Sequence, residues 1–292
     1  MPDPSQSSAL RALSSTLAGL VCDAAPRVVS IEGRRSRSSG FVWRPGLIVA
    51  AENALADEGE IRVVAHGGAA SAAELIGRDP SSDVALLRVQ GLDLPQAPQS
   101  VGGAVAGALT VVIGARDGAP MASLGVVSFA GPQWRSLRGG LIDARIELDA
   151  ELRRPSEGGV ALDADGHALG MAVFGPGRRT LVIPSKTVDR VAQVLVEKGR
   201  VARGYLGLSL QAVRLEADGS GLIAMSVDPK GPGAEAGIRQ GDVIVAWNGE
   251  AIRGLHHLLR ALGPDSVGTP VKLSLKRAGE PMDVTLIVTE RP

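Results

Sequence analysis

The chain opens on one hydrophobic period and then changes to another. Leu10, Leu13, Leu17, Leu20 and Val21 recur at helical spacing and Pro26 closes the run, which predicts an amphipathic surface helix within residues 1–26. Beyond Pro26, short runs of Val, Ile and Leu alternate with Gly, Pro, Asp and Ser. They read "RVVSI", "GLIVAA", "IRVVA", "VALLRV", "LTVVIG", "SLGVVSFA", "IDARIEL", "GVAL", "HALGMAVFG" and "TLVIP". Strands this short and this closely spaced predict an antiparallel barrel or sandwich rather than βαβ units. "LDADGHALG" is a hairpin signal, with its turn over Asp163 to Gly166.

The helical period returns from Ser185 to Lys198, where Val188, Val191, Ala192 and Leu195 mark one face. Ser185 is placed to cap its start and Gly199 its end. A basic connector, "GRVARG", follows. From Tyr205 onward come further strands, "YLGLSL", "GLIAMSV", "DVIVAWNG", "VKLSL" and "DVTLIV", and one helix, "GLHHLLRAL". The pattern therefore divides the chain into residues 1–26, an all-β region over 27–199, and a small α+β domain over 200–292.

Composition narrows what these domains can do. Apolar residues make up 45% of the 292 positions but aromatics only 2%, so the cores are expected to be mostly Val, Leu, Ile and Ala. Basic and acidic residues balance at 31 each, which argues against an electrostatic nucleic-acid binder, and stacking platforms are scarce too. No run is long enough to predict a membrane span. Cys22 is the sole cysteine, so no intrachain disulfide and no cysteine-based metal site is expected. That fits a reducing compartment. The N-terminal segment has the acidic flank "MPDP" and an apolar run broken by Ser14, Ser15 and Thr16, unlike a secretory signal. Together these favour the cytoplasm over a periplasmic or secreted location.

The most specific motif lies near the C-terminus. "DPKGPGAEAGIRQGDVIVAWNGEAI" resembles the core of a bacterial PDZ domain, with Gly237 and Gly241 at turns, Asp242 opening a strand and Asn248-Gly249 in a tight hairpin. The resemblance implies a groove that takes a peptide C-terminus by strand addition. Its carboxylate loop would be Tyr205-Leu206-Gly207-Leu208, and its opposing wall Leu255, His256 and Leu259, with Leu258 and Leu262 in the core.

Three further stretches, "SSGFVWRPGLIVAAENAL", "IGRDPSSDVALLRV" and "RRPSEGGVALDADGHALGM", extend the likeness over nearly the whole chain. With the bridge "IPSKTVDRVAQVLVEKGRVARGYLG" they are similar to the HtrA/DegP family of serine proteases. The resemblance implies a mainly β fold: a trypsin-like double antiparallel β-barrel over 27–199 followed by a PDZ domain. It also places the catalytic triad, and there the sequence departs from the family. The histidine position holds Asn53, the aspartate is kept as Asp83, and the nucleophile position holds Glu157. An amide is no base near neutral pH. Pro155 stands where the family glycine supplies one oxyanion N–H, and proline has none. Ser156 is one residue early, where a rigid turn would redirect its hydroxyl.

None of His66, His167, His256 and His257 occupies the matching position, and a metal held by Asp83 and Glu157 lacks a third ligand, so no metal and no cofactor is expected. Arg178 and Arg179 fall near the family's primary substrate pocket, either as loop charges or as pocket residues. The departures imply a pseudoprotease that binds hydrophobic C-termini or unfolded segments, as a scaffold or beside an active protease paralogue. The alternative is a serine endopeptidase of protein quality control with a displaced site, and a third reading is a structural subunit whose groove is filled internally. Relatives form homo-oligomers, trimers built on N-terminal contacts that are often aromatic. Met1 to Ser39 here contains no aromatic residue.

Overall fold

The structure is a computed structural model that describes residues 4–34, 36–55, 59–98, 103–215 and 219–291. The flank Met1 to Asp3 lies outside the described residues. The chain separates into two compact units: residues 1–134 with 141–200, and residues 201–292 with 135–140.

In the first unit the leading helical pattern forms α1 (Pro4–Ala24), which stops two residues before Pro26. Leu10 and Leu13 remain exposed on it. Six strands then close a barrel: β1 (Val28–Glu32), β2 (Arg37–Arg44), β3 (Leu47–Ala51), β4 (Ile61–Val64), β5 (Ala70–Asp79) and β6 (Val84–Val89), in the order β1-β2-β3-β6-β5-β4. Its interior is Val29, Ile31, Ile48, Val63, Leu87 and their neighbours. The aromatic-poor expectation has two exceptions, since Phe41 and Trp43 on β2 are fully buried. The Trp43 indole N–H donates to Asp189 Oδ1 at 2.8 Å, which satisfies the one polar atom its burial would strand.

A second closed barrel follows, from β7 (Leu109–Arg116), β8 (Ala119–Gly131), β9 (Arg145–Asp149), β10 (Val160–Leu162), β11 (Ala168–Phe174) and β12 (Thr180–Pro184). Its order is β9-β12-β11-β10-β7-β8, around Val112, Val127, Ile146, Leu148, Ala172 and Val182. β10 and β11 are joined by the Asp163–Gly166 turn, with the Asp163 amide donating to the His167 carbonyl at 2.9 Å. α2 (Ser185–Lys198) buries Val188, Val191, Ala192 and Leu195, and Gly199 ends it in the left-handed region at φ 69°. Its start differs from expectation. Ser185 makes no cap; its hydroxyl donates instead to the Ala168 carbonyl at 2.6 Å and pins the helix to β11.

The second unit is a sheet ordered β13 (Leu208–Arg214), β14 (Ser220–Val227), β15 (Val243–Trp247), β16 (Pro270–Arg277) and β17 (Glu280–Ile287). Helices α3 (Pro232–Glu235) and α4 (Leu255–Ala261) complete it. Leu222, Ile244, Leu258, Leu273 and Leu275 form its core. Asn248 (φ 48°) and Gly249 (φ 84°) make the hairpin after β15, as a two-residue turn of this hand requires. Asp242 is buried and receives both arms of Arg277, each at 2.8 Å.

The two barrels meet at the glycine pair of "RRPSEGGVAL". A Cβ on Gly158 would lie 2.3 Å from the Ser39 carbonyl oxygen, and one on Gly159 would lie 2.3 Å from that of Ile113. Gly158 also has φ 84°, which only glycine adopts without strain. Gly158→Ala should therefore lower the unfolding free energy by about 3 kcal/mol, from overpacking and backbone strain together. Urea denaturation checks this; a loss below about 1 kcal/mol would mean that the barrels yield at this contact.

Candidate functional site

Three elements converge on the positions where the family resemblance places the triad. The end of β3 continues into a short 3-10 turn, Glu52–Ala54, that presents Asn53; the residue before β6 is Asp83; and a second 3-10 turn, Arg154–Ser156, leads into Glu157. The Asn53 amide N–H donates to Asp83 Oδ1 at 2.8 Å, and the Asn53 side chain adds a further bond to the same carboxylate. The Glu52 amide donates to the Asp83 carbonyl at 3.2 Å. Asp83 itself sits at φ 60°, a conformation that aspartate tolerates better than most residues. Asp83 thus acts as a structural acceptor that ties β3 to β6.

No positive side chain pairs with that carboxylate among the described residues. Burial pushes the Asp83 carboxyl up to about 7, the Asn53 amide pulls it back in part, and the carboxylates of Glu157 and Glu52 push it up again. Glu157 is also raised above its ordinary range, first by burial, against the Phe174 amide that donates to it and the charge of Arg154. The site is a pair of half-buried acids with no histidine beside them.

Backbone donors are equally accounted for. Pro155 has no N–H. The Ser156 amide donates to the Arg153 carbonyl at 2.8 Å, Glu157 to Arg154 at 3.1 Å, and Gly158 to Ala172 at 2.8 Å. An oxyanion hole needs free N–H groups aimed at one point, and the three amides after Pro155 are spent on turns and on β11. Ser156 is buried in the turn, its Cα and Cβ against the position a Cβ on Gly114 would take. The Ser39 hydroxyl donates to the Pro155 carbonyl at 2.5 Å and accepts from the Ala115 amide at 2.8 Å, fixing the loop between the barrels. Ser39 was not among the sequence candidates; its only sequence signal is its place beside Gly40.

A cleft of about 780 Å³ opens over these groups, lined by Glu32, Arg34, Arg37, Asn53, Leu55, Arg154, Pro155, Glu157 and Phe174. Arg178 and Arg179 line a neighbouring cavity of about 700 Å³ with Phe129, Glu147 and Phe174. Arg179 pairs with Glu147 at 3.2 Å, and the Arg178 guanidinium lies 5.4 Å from the centre of the Phe174 ring. Both arginines are exposed, and the charge they bring to the rim of this cavity disfavours apolar side chains there. Of the histidines, His66 is in the turn after β4 and His167 stands beside Asp163 and Asp165 at the β10–β11 turn. That last trio has ligand atoms within 4.8 Å, but Asp163 Oδ1 already accepts the amides of Asp165 and His167 as hairpin bonds.

In the second unit β13 is an edge strand, paired only with β14, and α4 lies beside it. Leu206 and Gly207 are buried, and neither amide donates a hydrogen bond among the described residues, while their carbonyls accept from Gly233 and Asp228. That leaves two adjacent N–H groups for a carboxylate. The Tyr205 hydroxyl donates to Asp228 at 2.9 Å, which raises its own proton affinity and braces the loop. Leu208 is half-buried and begins β13. Leu255 and Leu259 lie one helical turn apart on α4, exposed and half-buried, whereas Leu258 and Leu262 are core. His256 turns elsewhere: its Nδ1 lies 3.4 Å from the Leu137 carbonyl oxygen, within the same unit.

Two closed six-stranded barrels, with a separate edge-strand unit, define a trypsin-like peptidase fold joined to a PDZ domain. Residues 38–171 match the model of the trypsin-like peptidase domain and residues 204–288 that of the PDZ domain. The chain belongs to the HtrA/DegP family. A Bartonella henselae protein named "Probable periplasmic serine endoprotease DegP-like" is 33% identical over 275 residues, covering 87% of this chain and 53% of its own length. A Chlamydia muridarum protein of the same name is 31% identical over 274 residues, covering 88% and 54%. The chain spans about half the length of these relatives.

Among solved structures, the serine endoprotease from Yersinia pestis superposes with a TM-score of 0.68 at 26% identity, covering 94% of this chain and 97% of that one. The HtrA-type protease AlgW with tripeptide gives 0.64 at 25%, covering 94% and 97%. The relatives' names correct one expectation: they are periplasmic, which overturns the cytoplasmic reading. A lone cysteine cannot form an intrachain disulfide in any compartment, so it never distinguished the two. Among the described residues no helix is long and apolar enough to cross a membrane.

The raised acids set a direction for pH dependence. The folded-state pKa of Asp83, about 7, exceeds its unfolded value of 3.8, so the native state holds a proton that the unfolded chain releases. The stability this contributes is complete below about pH 4 and lost as pH rises through about 7. Asp83→Asn keeps an acceptor for the Asn53 amide and removes the charge. It should gain on the order of 3 kcal/mol over the native chain at pH 8 and little at pH 4. Urea titrations of both chains at the two pH values check this, and equal curves at pH 8 would refute the raised acid.

Proposed function

We propose that this chain is a catalytically inactive HtrA-family protein that binds peptides, a pseudoprotease whose triad positions Asn53, Asp83 and Glu157 are vestigial. The observation that carries this reading is the Arg153–Gly159 loop: Pro155 lacks an N–H and the next three amides are bonded within the protein. Hydrolysis of a peptide bond needs a nucleophile, a base to take its proton and donors for the oxyanion. Asn53 is not a base, Glu157 is a poor nucleophile toward amides, and the donors are committed. Asp83, which in a working triad would orient an imidazole, keeps only its structural bond to Asn53.

Binding falls to the PDZ domain. The free Leu206 and Gly207 amides and the edge strand β13 support capture of a hydrophobic C-terminus or an unfolded segment, with Leu255 and Leu259 on the facing wall. The setting is the periplasm, as the relatives' names suggest, and an active protease paralogue is one partner that such a scaffold would serve. A serine endopeptidase with a displaced nucleophile would call on Ser156, the serine next to Glu157, and that side chain is buried within its turn.

Reversion tests the catalytic half. Glu157→Ser alone should give neither fluorophosphonate labelling nor casein cleavage, and Asn53→His/Glu157→Ser should be slower by roughly two to three orders of magnitude than the triple variant that adds Pro155→Gly. Cleavage by the single Glu157→Ser variant would contradict the reading. The binding half is tested on α4, because any side chain at Gly207 would press on the Gly231 backbone, 2.8 Å from its Cβ position. Leu255→Glu should weaken binding of an apolar free-carboxylate peptide about tenfold in fluorescence anisotropy, by placing a charge on the wall that faces the ligand's apolar side chains. Unchanged affinity would remove Leu255 from the groove.

A further inference from the structure

The cleft over Glu157 is unevenly charged. Three arginines line it, and two of them, Arg34 and Arg154, are exposed and make no side-chain hydrogen bond or ion pair among the described residues. Arg37 reaches only the exposed Asp117, at 3.5 Å, a surface pair of little strength. The acids opposite are already engaged. Glu32 lies 3.6 Å from Arg62, which is not a lining residue, and Glu157 accepts the Phe174 amide and offsets part of the charge of Arg154, so three arginines face two glutamates. The surplus is cationic and points into the cavity.

The sequence concentrates that charge at two loops. "GRRSR" brings Arg34 and Arg37 to the turn between β1 and β2, and "RRP" brings Arg154 to the former nucleophile loop. An unpaired guanidinium is a fork of donors matched to a carboxylate, which it holds bidentately. Two such forks across a cleft of about 780 Å³ can grip successive acidic side chains of an extended segment.

We propose that the former catalytic cleft is a second binding site, selective for acidic polypeptide segments, in which Arg34 and Arg154 hold Asp or Glu side chains. This rests on the inactive reading above, since a working protease would cleave what it held there. Replacing Pro155 and Glu157 by family residues would not remove the site, because neither supplies its charge. The grip should weaken with salt, as pairs at a solvent-open cleft do.

The test uses the full chain and three fluorescent peptides of equal length, each with an amidated C-terminus so that the PDZ loop has no carboxylate to bind. One is rich in Asp and Glu, one in Lys, and one in Ser and Gly. Anisotropy should show binding of the acidic peptide alone, weakened about tenfold or more by Arg34→Glu/Arg154→Glu. The milder Arg34→Gln/Arg154→Gln should give an intermediate loss, with thermal unfolding unchanged in both. Binding of the Lys peptide, equal binding of all three, no binding of the acidic peptide, or affinity untouched by both double variants would overturn the proposal. A free-carboxylate apolar peptide titrated in parallel reports on the PDZ groove. If it binds while the acidic peptide does not, the second site fails and the peptide-binding reading stands.

Discussion

The close approach of the two barrels at Gly158 and Gly159 is the constraint on which the rest of the site depends. With backbone from β2 and β3 against Gly158, and from β7 against Gly159, no side chain fits at either position. The loop before them is consequently forced into a tight turn whose amides bond inward, and the Ser39 hydroxyl fastens it from the first barrel. The same contact brings Glu157 under the cleft and within electrostatic reach of Asp83. Packing, not chemistry, holds this loop in place.

Positions 53, 155 and 157, where the family resemblance places groups that touch a reacting atom, hold Asn, Pro and Glu, while the barrels are held together by other groups, Ser39 and Gly158 among them. Asp83 belongs to both groups. It remains because its carboxylate, even with a raised proton affinity, satisfies the Asn53 amide and links β3 to β6. Without an imidazole beside it, that acid has lost the positive charge that would favour its ionised form. Stability is therefore expected to fall toward alkaline pH.

Much of this was legible in the sequence because it rests on local rules. Period-2 runs gave the barrel strands, Asn248-Gly249 gave its hairpin, and the double glycine marked the inter-barrel contact. β5 was harder: "ASAAELIGRD" alternates weakly and its outer face is solvated, so no apolar run announces it. The role of Ser185 was misread because a cap position looks the same from sequence whether the hydroxyl serves the helix or a neighbouring strand. The inward bonding of the loop amides and the unpaired arginines at the cleft depend on long-range placement, which no local pattern carries. Cellular location was misread for a different reason, since one cysteine constrains disulfides and not compartments.

Proteolysis by the native chain tests the central claim most directly. Purified protein incubated with an unfolded substrate should generate no new N-termini by mass spectrometry, and a fluorophosphonate probe should leave no adduct. Cleavage that disappears in Ser156→Ala would contradict the account, because it would place a working nucleophile in a turn where the amides from Ser156 to Gly159 are already bonded.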